Sequence, residues 1–262
     1  MDADPRASAR SDHALVRGQP PAGPLVPATR HPDERRTFSL RPMASADLPF
    51  VVEEHLGHFP HGFFARLGAG FLTSYTRTYL TGPEARAYVV EAAGRPVGFL
   101  VGVLDPPAHR RHVLRSHGPR LAARALVSLA VRPRLARHFL RTRLLRYLRG
   151  LLPRRAAPGA APAANPGVTA VLSHVVVTRS ARSLGIGETL IGRFVADAAV
   201  AGCARVSLVT ASGPDGAGPY YERRGWLPRG ETRTPEGRLL ATYDVPLTSP
   251  RSSGPRSSGP GR

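Results

Sequence analysis

The chain has no lysine; all 37 of its lysine-plus-arginine positions are arginine. That excludes a P-loop lysine and a Schiff-base lysine. The one cysteine, Cys203, rules out an internal disulfide framework and a cysteine-only metal site. Nothing near it in sequence supplies a base or a cleft, so it reads as a small packed residue between a helix and a strand. No apolar run reaches the roughly 18–20 residues of a membrane-spanning helix. The first 36 residues lack the apolar stretch of a secretory signal. The expectation is a soluble protein of the reducing cytoplasm. Acids are scarce, 18 against those 37 bases, for a net charge of +19. Such a surplus attracts anions. Beside abundant Ala, Gly and Pro it also reads as a compositional habit, and it is discounted as evidence for nucleic acid.

Aromatics are only 6% of the chain, whereas Gly and Pro number 27 each. Part of the chain therefore builds no core, while 42% hydrophobic residues suffice for one domain in the rest. Residues 1–36 read as a disordered tail, and 248–262, a tandem Arg-Ser-Ser-Gly-Pro repeat, as a second one. Residues 153–167 read as a Pro/Ala linker. Between the tails, 37–247 reads as one domain.

The domain opens with a strand at 37–43, then a helix capped at Ser45 with Asp47 in its first turn, ending near Pro60. A second helix is predicted over 62–80. Strands at 86–92 and 96–104 are joined by a turn at Ala93-Gly94-Arg95. The run 169–178 is a strongly apolar strand. A helix at 185–201, a strand at 205–210, a short helix at 218–224 and strands at 226–231 and 239–247 complete an α/β plan.

Two stretches carry chemistry. In the first, a valine-rich strand ends at Val177, and Arg182-Ser183-Leu184 leads into Gly185-Ile186-Gly187 at the start of a helix. The unpaired N–H groups of a first helical turn form an anion site, and glycine lets a phosphate approach the backbone. Arg182 could add a charge-assisted contact. A plain strand-to-helix turn would read the same way. In the second stretch, Tyr221 is followed by three residues, Gly225 and Trp226. By itself this is a helix with a glycine stop and an aromatic returning to the core.

Taken in order, the two stretches resemble the GNAT superfamily of acyl-CoA N-acyltransferases. There, Arg/Gln-x-x-Gly-x-Gly/Ala follows a strand ending in Val, and Tyr-x-x-x-Gly-Phe comes roughly 30–45 residues later. The opening at 38–51 and the hairpin at 94–99 fit the same family. The resemblance covers about 37–105 and 168–247. It implies a mixed, mostly antiparallel central sheet flanked by helices. It also implies acetyl-CoA as co-substrate, no metal, and a small-molecule or peptide amine as acceptor. The amides of Ser183, Leu184, Gly185, Ile186, Gly187 and Glu188 would cradle the CoA pyrophosphate. Val175, Val176 and Val177 would pair with the pantetheine arm, and one of their amides would hold the oxyanion. Tyr221 would be the general acid.

Several positions depart from the family. Ser183 stands where a glycine is common, bringing a Cβ and a hydroxyl. Stepping back by two from Val177 meets Val175, Ser173 and Val171, none of them a base. His174 faces the other side unless a bulge shifts the register. The family's Asn at its last helix is absent, with Asp215 nearest. Glu54, His58 and His61 fall where the family places the acceptor, and are candidates for substrate contact or general base. A metal site or a solvated surface are the other readings of that His-rich turn.

Residues 106–155 hold 14 arginines and no acid. They read as a helical insertion, with a helix restarting at Pro133 and apolar Leu135, Phe139, Leu144, Leu148 and Leu151. A basic amphipathic segment can be a solvated face, a lid, or a site for nucleic acid or an anionic membrane. The competing reading of the whole chain is a non-catalytic module that binds such an anionic partner.

Overall fold

The computed structural model describes residues 38–141, 167–213, 216–234 and 236–247. Both expected tails and most of the Pro/Ala linker fall outside these residues, as do Leu144, Leu148, Leu151 and Asp215.

Seven strands form one sheet in the order β1-β2-β3-β4-β5-β7-β6. They are β1 (Phe38–Pro42), β2 (Ala85–Ala92), β3 (Arg95–Val103), β4 (Thr169–Val177), β5 (Arg205–Ala211), β6 (Leu227–Arg233) and β7 (Leu239–Pro246). Only β4 and β5 pair in parallel; every other neighbouring pair is antiparallel. The expected mixed, mostly antiparallel sheet is therefore present. The β2–β3 turn is made by Ala93 and Gly94, both at positive φ (49° and 71°), which suits a tight hairpin.

Helices pack on both faces. On one lie α1 (Leu48–His58), the single turn α2 (Phe63–Arg66) and α3 (Ala69–Thr81). The predicted second helix, 62–80, is thus two helices. Gly68 at φ 92° breaks it, a conformation that halts a helix and that glycine adopts without a Cβ penalty. The expected cap at Ser45 also gives way. Ser45 sits in a 3-10 turn, and the Ala44 N–H donates to the Asp47 carboxylate instead, at 2.7 Å. Arg41 of β1 grips that same carboxylate with two bonds of 2.7 Å and also holds Glu91 of β2, pinning the start of α1 to the sheet edge.

After β3 the chain forms α4 (Pro106–His112), a π-helical turn (Val113–His117), α5 (Gly118–Ala130) and α6 (Pro133–Phe139). The expected helical restart at Pro133 is α6, with Leu135 buried against Leu67 and Phe71. On the opposite face of the sheet lies α7 (Ile186–Val200), and α8 (Gly218–Glu222) follows β5. Phe194 of α7 is fully buried and sits over Gly102 of β3; a Cβ there would come within 2.5 Å of its ring. Cys203 is buried, its thiol 3.6 Å from the Leu104 carbonyl, and burial raises its pKa, consistent with a packing role.

Candidate active site

The site begins where two strands part. β4 pairs with β5 from Thr169–Arg205 to Leu172–Leu208 and no further. Beyond that point β5 stays with β7 up to Ala211, and β4 stays with β3 up to Val177. Residues 173–177 of β4 therefore keep one partner strand, and their other edge is free of β5. The departure coincides with a bulge. Val101 pairs with His174 and Gly102 with Leu172, leaving Ser173 as the extra residue. A bulge bends its strand and increases local twist. The Tyr79 hydroxyl, bonded to Tyr75 at 2.8 Å, also hydrogen-bonds the Ser173 side chain.

The parting opens a groove of about 820 Å³. One wall is Val175, Val176 and Val177 of β4. Its floor is the loop and first turn of α7, with Arg182, Ser183, Gly185, Ile186, Gly187 and Glu188. Its far wall is α8 and the turn after it, with Tyr220, Tyr221, Arg223 and Arg224. Leu184, expected among the loop residues, does not line the groove; its side chain points to solvent, 44% exposed.

The loop has its own strain. Gly185, at the start of α7, has φ 77°, and Ser183 has φ 63°. The second value explains why glycine would suit that position: an L-residue in the left-handed region costs roughly 1 kcal/mol. Opposite, the Arg224 guanidinium lies 3.8 Å from the Tyr220 ring centroid and 3.2 Å from the Glu188 carboxylate. Arg182, Arg223 and Arg224 give this groove a positive lining against the single carboxylate of Glu188.

Tyr221 is buried, edge-on to Trp226 and to Tyr220. Desolvation first, and the neighbouring Tyr220 second, push its pKa up to about 12. Its phenol is therefore neutral, and a proton donor, throughout the ordinary pH range.

The His-rich turn divides. His58 lines the groove, and its Nε2 accepts from Arg182 at 2.9 Å. Its Nδ1 lies 2.9 Å from the Glu54 carbonyl and 3.4 Å from the Glu54 carboxylate. Glu54, His58 and Arg182 thus form one chain of contacts between α1 and the loop before α7. His61 is exposed and outside the groove lining. Among the described residues no group of three or more His, Cys, Asp or Glu could hold a metal ion.

His174 does not line the groove either. The bulge leaves Val175 and Val177 packed on the α7 side and Val176 on the α1 side, and His174 shares the α1 side. Its ring stacks with Phe59 (centroids 5.3 Å) and lies 4.6 Å from the ring of His55. Its Nδ1 faces the Ser173 carbonyl, which assigns the ring proton to Nδ1 and leaves a lone pair on Nε2. Desolvation, with the His55 ring second, lowers its pKa to about 3; desolvation lowers His55 to about 4. Both rings are neutral at neutral pH. A pKa of about 3 suits accepting a hydrogen bond and does not suit holding a proton.

The sequence by itself assigns no role to His55, which lies in the His-rich turn, to Tyr220 and Arg224, which lie in the tyrosine motif, or to Tyr79. For His55 a signal exists: it falls four residues after Val51, on the buried stripe of α1. Tyr220 and Arg224 flank the assigned tyrosine and carry no signal beyond that adjacency.

Residues 159–226 match the family model described as the acetyltransferase (GNAT) family. No curated protein matches the chain. Among solved structures, an N-acetyltransferase from Staphylococcus aureus Mu50 is 13% identical, covers 81% of this chain and 99% of its own, and has a TM-score of 0.51. That likeness is one of fold. Ard1 from Thermoplasma volcanium (13% identity, 80% and 98% covered, TM-score 0.49) and an acetyltransferase from Thermus thermophilus (18%, 80% and 97%, TM-score 0.44) are also similar.

Proposed function

We infer, on the premise that this chain carries an acetyltransferase domain of the GNAT family, that it moves an acetyl group from acetyl-CoA to a primary amine. The observation that carries this reading is the parted edge of β4, which ends at a glycine-opened helix and at a buried tyrosine. The donors present fit an acyl-CoA. Backbone amides at the start of α7, with Arg182 nearby, suit a pyrophosphate. The free edge of β4 suits the amide-bearing pantetheine arm, which would add to the sheet as a short strand.

The chemistry follows from these positions. The amine nitrogen attacks the thioester carbon, and the carbonyl oxygen gains charge beside an amide of residues 175–177, which stabilises it. The C–S bond then breaks and the electron pair leaves on sulfur. Tyr221, neutral below about pH 12, donates to that thiolate, the proton given up by the amine nitrogen passes to solvent, and solvent returns a proton to the phenolate. The amine arrives on the α1 side of β4, past Phe59. There the His174 Nε2 lone pair can accept from the amine N–H and orient the nitrogen lone pair toward carbon. Most of the acceleration comes from holding the two reactants together. The acceptor is a small molecule or a peptide amine.

Calorimetry with acetyl-CoA, followed by CoA release over a panel of amines, tests this reading. At about 100 times Kd, bound acetyl-CoA should add about 2.7 kcal/mol of stability. Tyr221→Phe should lower kcat by about 10²–10⁴ while leaving acetyl-CoA affinity intact. Absence of acetyl-CoA binding would overturn the assignment; an unchanged kcat would remove Tyr221 from it.

A further inference from the structure

The solvent-facing side of α5 carries a broad apolar stripe edged by arginine. After the first turn its exposed apolar positions run Ala122, Ala123, Leu126, Val127 and Ala130, continuing to Val131 just past the helix end, with Arg120 and Arg124 exposed beside them. Leu126, Val127 and Val131 are 67%, 66% and 70% exposed. At 100° per residue these six positions span about half the circumference of the helix. The other half, with Leu121, Ala125 and Leu129, packs on Phe71 and Leu67. A surface helix in water ordinarily turns polar residues outward. This one turns apolar residues both ways, so its outer half has no partner within the described chain.

Charge defines what surrounds that stripe. From Pro106 to Arg141 there are nine arginines and no aspartate or glutamate. Arg115, Arg120, Arg134 and Arg137 are exposed, and none pairs with a carboxylate among the described residues. Glu236 reaches the insertion against His138 of α6 at 2.9 Å, and the Asp105 carboxylate accepts from the Ala108 N–H at the start of α4. Beside the stripe, between α5 and the start of α3, lies a hollow of about 560 Å³. It is lined by apolar atoms of Phe71, Val127 and Val131, with Arg124 and Arg132 among them.

We propose that the outward face of α5 docks this protein on an anionic lipid surface. The Ala, Leu and Val side chains enter the boundary between headgroups and acyl chains, and the flanking arginines meet the phosphates. Each requirement answers a different observation. Nucleic acid would use the arginines and leave the apolar stripe in water. A second copy would bury the stripe but set one arginine cluster against another, which repels. A bilayer takes both, and a convex helix can enter a fluid layer that needs no complementary groove. This inference is independent of the proposed acetyl transfer, since no residue of the stripe lines the acetyl-CoA groove.

Flotation of the full chain with phosphatidylcholine vesicles, with and without phosphatidylglycerol, tests it. The expected result is recovery with the anionic vesicles only, weakening as salt is raised. The triple replacement Leu126→Gln, Val127→Gln, Val131→Gln should cut vesicle binding by about tenfold or more. Exchanging Arg120→Gln or Arg134→Gln should cut it by about fivefold each. All of these side chains are exposed, and unchanged acetyl-CoA binding or an unchanged thermal melt checks that the fold survives. No binding to anionic vesicles, equal binding to neutral ones, or full binding by the triple variant would overturn the proposal. The last result would assign vesicle attraction to arginine charge elsewhere in the chain.

Discussion

Two ends of one strand behave differently. The first four residues of β4, Thr169 to Leu172, are all held by β5, and Val171 and Leu172 by β3 on the other edge as well. The last four, 174–177, are held by β3 alone, and Ser173 between them is the bulge. The closed end is packed as a core: Ala170 and Leu172 are buried with Leu190, Phe194 and Val206. The open end borders the groove. Apolar residues serve both, Ala170, Val171 and Leu172 at one end and Val175, Val176 and Val177 at the other, so hydrophobicity does not separate them. A single inserted residue does. Ser173 shifts the register where β5 departs, and it converts a structural strand into one with free backbone donors and acceptors.

The comparison breaks most severely from the closed end. Phe194→Ala removes a fully buried ring from the layer that supports β3 and β4. It should cost about 3–5 kcal/mol of unfolding free energy, read from urea denaturation. Phe194 itself does not line the groove, so acetyl-CoA affinity of the molecules still folded should change by less than about twofold. A large affinity loss at full folding would mean that the closed end does more than support the open one.

The open end should respond to acid. His55 and His174 have folded-state pKa values lowered to about 4 and about 3, chiefly by desolvation. Their unfolded values lie near 6.5. Below pH 6.5 the unfolded chain takes up protons that the folded chain refuses, so the stability each neutral ring contributes is lost as pH falls. The loss runs from about pH 6.5 to about 4 for His55, and on toward 3 for His174. Its slope is at most about 1.4 kcal/mol per pH unit for each ring. His109 and His117, also lowered by burial, add to the same slope. The test is therefore a difference: denaturation midpoints between pH 7.5 and 4.5 should fall less steeply in His55→Phe and His174→Phe than in the parent chain. Parallel curves would show that these rings are already charged in the fold.

Most of the closed end was legible in the sequence, because burial leaves a period. The strands at 169–178, 205–210 and 239–247 lie within a residue of β4, β5 and β7. The helix at 185–201 is α7 plus one residue at each end. The glycine-opened loop and Tyr221 were legible because each needs residue types at fixed spacing. What escaped was geometry with no period. The bulge at Ser173 has no residue signature, so the facing of His174 could not be settled from alternation. The break at Gly68 interrupts the predicted helix at 62–80 without interrupting its apolar pattern, because the sequence does not show the positive φ of that glycine. The contact between His58 and Arg182 joins residues 124 positions apart. The outward stripe of α5 was hidden by the arginines around it, which read as a solvated face when only charge is counted.

The smallest effect sharpens the comparison at the loop. Ser183 sits at φ 63°, where glycine would be unstrained. Ser183→Gly relieves roughly 1 kcal/mol of backbone strain. It also gives the unfolded chain more freedom, which costs about 0.5–1 kcal/mol. The two nearly cancel, so the urea midpoint should scarcely move. Affinity separates the alternatives. Ser183 lines the groove, and under the proposed acetyl-CoA reading its hydroxyl would donate to a phosphate oxygen. Losing that bond should weaken acetyl-CoA binding by about 0.5–1.5 kcal/mol, a few-fold to about tenfold in Kd by calorimetry. An unchanged or tighter Kd would mean that the hydroxyl makes no phosphate contact and that backbone amides alone hold the ligand there. In that case the serine is tolerated strain, and the open end depends on main chain throughout.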